Sequence, residues 1–580
     1  MVGALSTYFL VVSVRRRQPA IIKVMPKQAH STLLPYQRRV LIRRVLVGAL
    51  IFAAGFAVYS NSFRVPFLFD DLSAIIANPT IRHLGLGTLF PPHATTVENR
   101  PLLNISVALN FAVSGSSPWS YHAANLAIHL CNALLFFGIV RRTYRFVLGP
   151  AGRKSGATLA ALAATLVWLL HPLNTEAVTY VIQRAESLMA LFFLGTVYLF
   201  IRSVGRLDQR PFLYASVFCC FLGMTVKEVM AVAPIVILLY DRTFVAGTFR
   251  AAIQSRHRYY LWLAASWIAL ACVISGSPDR ASASGFHPPP LFVHYVSAQP
   301  AALVRYLGLA AWPAGLTFDY GVISPSPVTV ALASIVVVLL LAAAVALTAR
   351  RHPAGFAMVC FFLILAPTSL VPGSRQSMAE HRMYLPLAAI AGFVIPALFR
   401  VGGRKTLWVL GVASVALGIA TFCRNAVYHS AEAIWADTVA KCPGNAYAHN
   451  NLGSELLKDR RLPEAMDQLL AATRLDPTLS VGFENLGSCY LRQGKLDDAT
   501  RTYRKAIDLT PGNFSAHNGL GVAFMRTGRL LDARAEFIAA IDLNASFMPA
   551  RDNLRAVLIE LWKGHLDELP RFRPSLKPKG

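Results

Sequence analysis

The chain is short of charge. Only 15% of its 580 residues are Asp, Glu, Lys or Arg, and 55% are hydrophobic; a soluble globular chain carries about a quarter charged residues. A mean hydropathy of +0.48 over this length excludes a water-soluble enzyme. Acidic residues are scarcest: 29 Asp+Glu stand against 56 Lys+Arg, a formal charge of +27. In a soluble chain that excess would point to nucleic acid. In a chain with many apolar runs it means basic cytoplasmic loops instead, so no nucleic-acid partner is expected. Cysteine is also sparse. The eight thiols (Cys131, Cys219, Cys220, Cys272, Cys360, Cys423, Cys442, Cys489) include no CxxC pair, which excludes a disulfide framework and a zinc ribbon. Collagen-like, disordered and small disulfide-rich classes are excluded with them.

What the chain has is apolar length. Residues 1–44 form a basic tail (Arg15, Arg16, Arg17, Lys23, Lys27, Arg38, Arg39, Arg43, Arg44) with no clean signal-peptide cleavage site, read as cytoplasmic. Stretches long enough for about 30 Å of hydrocarbon follow at 45–61, 122–140, 157–171, 187–202, 211–225, 229–243, 259–275, 328–348, 355–372, 384–400 and 405–423. A further segment, 301–316, is short and contains Pro313 and Gly315. If it spans, the basic turns Arg350-Arg351 and Arg400–Lys405 fall outside; if it is re-entrant or interfacial, both fall inside. The positive-inside rule selects the second case, hence about eleven spans plus one re-entrant segment, N-terminus in and C-terminus out.

Beyond residue 424 the composition turns polar and helical, with a period of 34. Leu452-Gly453, Leu486-Gly487 and Leu520-Gly521 are in register, as are Ala465, Ala499 and Ala533, and Pro443, Pro477 and Pro511. That is the tetratricopeptide signature. The expected order is an all-α membrane domain at 45–424, a linker at 425–444, three repeats at 445–546 with a capping helix to 563, and a flexible tail at 564–580. Parity puts the repeats on the exoplasmic side.

Chemistry-bearing residues gather near that same side. Asp70-Asp71 lies in the first exoplasmic loop. Adjacent carboxylates suit general-base work on a hydroxyl, one taking the proton and the other orienting the acceptor or binding a metal; such a doublet also suits a helix N-cap. Tyr121, His122, Asn125 and His129 share one helix face. His171, Glu176, Arg184 and Glu186 bracket one turn, Lys227-Glu228 lies in another, and Arg375, Glu380, His381 and Arg382 in a third. Ionisable residues within apolar spans are functional candidates by default. Guanidinium and ammonium groups near carboxylates suit a phosphate-bearing lipid donor. Arg184, Lys227, Arg375 and Arg382 are therefore the candidates for its phosphate, with Glu176, Glu380 and His122 beside them. His129 reads as a satisfied core histidine, and Asp241 next to Arg242 as a cap or ion pair. No metal is required, although Asp70, Asp71 and Glu176 could bind a divalent ion. Asn450 and Asn518, two periods apart, should occupy equivalent places in the repeat groove and hold an acceptor backbone; Asn485 lies one residue off that register.

These segments carry a resemblance. Phe69-Asp70-Asp71 with Asn78-Pro79, Arg100-Pro101-Leu102, Tyr121-His122-x-x-Asn125-x-x-x-His129, His171-Pro172-x-x-Thr175-Glu176-Ala177-Val178, Arg184-Ala185-Glu186, Lys227-Glu228 with Tyr240-Asp241, and Ala379-Glu380-His381-Arg382-Met383-Tyr384-Leu385-Pro386 occur in this order. Together they make the chain similar to the transmembrane and tetratricopeptide-repeat-containing proteins, of the membrane glycosyltransferase class called GT-C. The resemblance implies transfer of a sugar, mannose, from a polyprenyl-phosphate donor to Ser or Thr hydroxyls of exported proteins. It maps the catalytic acidic doublet onto Asp70 and Asp71, with Asp70 as base by analogy with related O-mannosyltransferases. Three repeats, fewer than eukaryotic members usually carry, suggest a bacterial member in the inner membrane facing the periplasm; a eukaryotic member would face the lumen of the endoplasmic reticulum. Direct displacement would invert the anomeric centre, since adjacent carboxylates cannot flank a sugar from both sides. The rival readings are a non-catalytic membrane-anchored repeat scaffold and a transporter, the latter without the internal symmetry it would be expected to show.

Overall fold

The computed structural model describes residues 28–93, 95–148, 156–205, 208–275, 289–370 and 376–568. Two units divide between Leu50 and Ile51. Among the described residues the regular structure is helical, with no strand.

Helix α1 (Gln28–Tyr59) is followed by a loop with short helical turns and α2 (Pro101–Ser114). Then come α3 (Trp119–Leu148), α4 (Gly156–Leu169), the short α5 (Thr175–Thr179), α6 (Arg184–Ser203), α7 (Arg210–Met224), α8 (Ala233–Tyr240) and α9 (Phe249–Ser275). After α10 (Pro289–Ala311) follow α11 (Pro327–Ala349), α12 (Pro353–Leu370), α13 (Tyr384–Gly402) and α14 (Lys405–Val427). Among the described residues nine helical segments are long and apolar enough to cross a bilayer, and Gly156–Leu169 with Pro172–Thr179 makes a tenth if that pair, bent by 56°, is one span. The chain is a multi-pass membrane protein.

Helix α7, at 15 residues, is short for a span, yet it lies antiparallel along α6. Ser216 donates to the Thr196 carbonyl at 2.8 Å, and Lys227, just past its end, meets Glu186 at the start of α6. It therefore travels the depth that α6 travels. Close approach is built in elsewhere too: a Cβ on Gly138 of α3 would stand 2.5 Å from the Tyr198 ring of α6.

The segment read as 301–316 is a longer helix that starts earlier, with Pro313 and Gly315 beyond its end. Three of its contacts lie at one end of the bundle. The Tyr295 hydroxyl donates to Thr368 O at 2.6 Å, Tyr306 donates to Ala379 O at 2.9 Å, and the His171 ring meets Ala310 O at 3.3 Å. All three partners sit at the Asp70 end of the bundle. At the opposite end the basic turns meet: Arg242 donates to Thr348 O at 2.5 Å, and a Cβ on Gly247 would lie 2.8 Å from the Arg351 guanidinium. Asp241 pairs there with Arg256 at 2.9 Å and with Tyr260 at 2.7 Å, not with Arg242. His129 is satisfied by the Tyr384 hydroxyl at 2.7 Å and Leu169 O at 3.1 Å.

The segment expected as a linker contains a helix, α15 (Ala431–Lys441), held by the Ser430 N-cap. The solenoid follows as α16 (Ala446–Lys458), α17 (Leu462–Leu475), α18 (Ser480–Arg492), α19 (Leu496–Leu509), α20 (Phe514–Arg526), α21 (Leu530–Leu543) and α22 (Met548–Glu568). The glycines explain the period. A Cβ at Gly453, Gly487 or Gly521 would meet Leu469, Tyr503 or Phe537 at 2.7, 2.9 or 2.6 Å. Only glycine lets the two helices of each repeat close on those side chains. Arg460, Gly494 and Gly528 make the reversal between them at φ 61°, 78° and 75°. The helix that caps the array reaches Glu568, past the expected end at 563; the rest of the tail, like residues 1–27, lies outside the described residues.

The first repeat is part of the membrane domain's own core. Ala448, Leu452, Leu469 and Leu486 lie in one buried cluster with Val65, Leu68, Tyr180 and Val181.

Candidate functional site

Phe69 sets the site. It has φ 43°, a left-handed value costly for a bulky side chain. Three rings hold it there: Trp435 at 4.9 Å, Phe318 at 5.1 Å and Tyr180 at 6.5 Å between centroids. They come from α15, from the segment after α10 and from the turn before α6. The kink turns the next two carboxylates in opposite directions.

Asp71 points inward and is 1% exposed. Its two oxygens accept from Leu68 N–H at 3.0 Å and Ile182 N–H at 2.8 Å. It ties the first loop to the turn before α6, and burial pushes its carboxyl up to about 8. Asp70 is open to solvent. Its backbone N–H donates to the Tyr180 hydroxyl at 2.9 Å. Partial removal from water raises its carboxyl above the ordinary range, with the Tyr180 hydroxyl, His381 and Arg100 pulling it back. The doublet is thus one accessible carboxylate and one structural one.

Glu176 and His381 form the adjacent wall. The His381 ring meets Glu176 at 2.7 Å, and its backbone N–H donates to the other carboxylate oxygen at 2.9 Å. Glu380 faces away from this pair; it accepts from the Tyr320 hydroxyl at 3.1 Å and lies 3.6 Å from Arg424, which bridges to Asp437 at 2.9 Å. Glu380 thereby belongs to the junction with the solenoid. Asp71, Asp70 and Glu176 do not converge as ligands, and no group of three His, Cys, Asp or Glu able to hold a metal occurs among the described residues.

Two expected donor contacts take other roles. Arg184 is 1% exposed, and its guanidinium is spent on protein: Asn125 Oδ1 at 2.5 Å, Asn110 Oδ1 at 2.6 Å, Tyr121 O at 2.9 Å and Ser106 O at 3.0 Å. It staples α2 to α3, with four of its five N–H groups spent on protein acceptors. His122 is 1% exposed and meets Val65 O at 2.8 Å, fixing the entry of the first loop. Arg375 lies outside the described residues. Among the described residues, Lys227, Arg100 and Arg382 are cations on the Asp70 face. Lys227 pairs with Glu186 at 2.6 Å, Arg100 with Glu228 at 3.6 Å, and Arg382 is held by the Tyr295 hydroxyl at 3.2 Å within the electrostatic reach of Glu186. Each carboxylate partner leaves donor capacity on its cation. In the sequence Arg100 stands out only as part of a motif, and Tyr180 only as a tyrosine in a polar turn.

In the solenoid, Asn485 donates to Asn450 Oδ1 at 2.9 Å, and Asn553 donates to Asn518 Oδ1 at 2.9 Å. The one-residue offset of Asn485 is therefore functional packing, since each pair bridges successive first helices. Asn450 is 2% exposed and gives its own amide to Asn451 at 3.1 Å, so it braces the array and does not line an open groove. Asn485 and Asn518 are half-buried. The missed partner, Asn553, was legible as Asn518 plus the offset that joins Asn450 to Asn485.

A TPR repeat model matches residues 487–528. Among curated proteins, the chain is 30% identical over 199 residues to the protein O-mannosyl-transferase Tmtc3 of Drosophila melanogaster, covering 31% of this chain and 22% of that one. It is 31% identical over 160 residues to TMTC2 of Mus musculus (26% and 18%) and 32% over 159 residues to TMTC3 of Homo sapiens (26% and 16%). The matched part is about a fifth of the length of these relatives. Among solved structures, the first TPR of Spaghetti (RPAP3) bound to an HSP90 peptide is 23% identical, covering 20% of this chain and 93% of that chain at a TM-score of 0.20. MamA is 22% identical, covering 27% and 88% at 0.19. Over these segments the chain is similar to protein O-mannosyl-transferases, and it contains a TPR repeat.

Proposed function

We propose that this protein is a membrane glycosyltransferase that moves mannose from a polyprenyl-phosphate donor to Ser or Thr hydroxyls of exported proteins. The observation that carries the reading is Asp70: an accessible carboxylate on a constrained loop, on the face of the bundle that also bears Arg100, Lys227, Arg382 and the solenoid. The basic turns gather at the opposite end, which supports a cytoplasmic location for that end and an exoplasmic one for the site.

Asp70 takes the proton of the acceptor hydroxyl as its oxygen forms the new bond to the anomeric carbon. The bond from that carbon to the donor phosphate oxygen breaks, and the polyprenyl phosphate leaves with the electron pair, inverting the centre. Charge grows on the leaving phosphate, where Lys227, Arg100 and Arg382 stabilise it. Tyr180 and the Glu176–His381 pair orient Asp70. The solenoid presents the acceptor. Polyprenyl-phosphate mannose, an acceptor protein and the full chain in proteoliposomes test this. The parent should transfer label and Asp70→Asn should not; transfer equal in both removes Asp70 as the base, and transfer in neither while the protein still binds acceptor supports the scaffold reading instead.

A further inference from the structure

Helix α22 keeps the register of a repeat's first helix. Ala448, Gly482, Ala516 and Ala550 are successive equivalents, as are Leu452, Leu486, Leu520 and Leu554. Asn553 makes the bond to Asn518 that Asn485 makes to Asn450. Three residues break the pattern. Where Arg460, Gly494 and Gly528 reverse the chain with positive φ, α22 has Trp562 and continues as helix to Glu568. Through Glu568 the described residues therefore do not fold back as a second helix.

The face that a second helix would cover is left open. Ile541, Arg551, Leu554, Arg555, Leu558 and Trp562 line a groove of about 500 Å³. Leu558 is 46% and Trp562 66% exposed. The other two exceptions are cations. Arg551 stands where His449, Phe483 and His517 stand, and the two histidine rings are paired at 2.7 Å with Gln468 and Glu536 of their own second helices. Arg555 replaces the glycine that elsewhere admits Leu469, Tyr503 or Phe537. No hydrogen bond or ion pair joins Arg551 or Arg555 to another described residue.

We infer that this groove docks an amphipathic helix from a partner protein, one that completes the fourth repeat and carries carboxylates at the places of Glu536 and Phe537 in α21. The large apolar side chain at the second of these places is excluded by Arg555, and a carboxylate there pairs with it. Apolar burial along Leu554, Leu558 and Trp562 supplies the remaining contact. This surface is separate from Asp70 and does not depend on the proposed reaction.

The probe is a fluorescein-labelled peptide of Leu530–Leu543 with Phe537→Glu, held helical by a staple on its outer face. Its binding to the full chain in detergent is read by anisotropy. Saturable binding is expected, at least tenfold weaker for Arg551→Glu/Arg555→Glu and for a peptide with Lys at both acidic places; the Lys peptide should regain binding to the charge-reversed chain. Both arginines are exposed, so the variant keeps its fold, which circular dichroism checks. Equal binding of acidic and basic peptides overturns the inference. So does efficient Trp562→Cys cross-linking between two chains, which makes a second copy the occupant, or binding that appears only after residues 569–580 are removed, which makes the chain's own tail the occupant.

Discussion

The Phe69 and Trp435 rings meet edge to face, 4.9 Å apart at 65°. Phe69 is held in a strained backbone conformation next to Asp70, and Trp435 sits on the helix that leads into the solenoid. The contact makes the approach to the repeats part of the scaffold that aims Asp70. Trp435→Ala should release the strain, worth about 1–3 kcal/mol, and let Asp70 drift. A displacement near 1 Å costs on the order of 100-fold in turnover. Turnover measured with saturating donor should fall by about that factor while donor KM holds, and Trp435→Phe should restore most of it. An unchanged turnover in the Ala variant would remove Trp435 from the site.

Asp70→Asn and Asp71→Asn should fail differently. The first removes the proposed base from a solvated carboxylate and should lower turnover by about 100- to 10,000-fold with no change in thermal midpoint. Above about pH 8, where Asp71 is ionised, the second turns one of two acceptor oxygens into a donor aimed at a backbone N–H, which costs about 1–3 kcal/mol of stability. Midpoints and turnover measured side by side separate the two; a stable, inactive Asp71→Asn would exchange the roles.

pH should separate them again. Asp70 works deprotonated and its carboxyl is raised, so activity should fall as pH drops through a value above the ordinary carboxylate range near 4. For Asp71 the folded chain holds a proton that the unfolded chain has lost. The stability this contributes is full below about 4 and is lost as pH rises through about 8. The thermal midpoint should therefore decline across that window in the parent, and Asp71→Asn should lack that component of the slope.

Arg184 and Arg382 test the assignment of the phosphate site. Arg184→Ala strands Asn125, Asn110 and two carbonyls in a buried place and should cost about 3–5 kcal/mol, by analogy with breaking a buried charged network. Arg382→Ala should leave stability nearly intact and raise donor KM by about tenfold, in keeping with one charge-assisted bond. A stable Arg184→Ala with raised donor KM would return Arg184 to the donor site.

The 34-residue period and the apolar runs by themselves specified an all-α membrane domain followed by repeats, because helix pairing and bilayer crossing each impose a spacing that side chains must obey. The basic turns predict that the helix ending at Ala311 does not cross, since charge placement follows the membrane and not the fold. Which polar residues are available for chemistry could not be read this way. Arg184, Arg382 and Lys227 look alike in a sequence; only the packing of α2 against α3 surrounds the first with acceptors from four other residues. The same holds for Asp70 and Asp71. Adjacent in the chain, they are parted by the turn at Phe69, which is held by rings from three distant segments and leaves one carboxylate buried against backbone N–H groups and the other facing water.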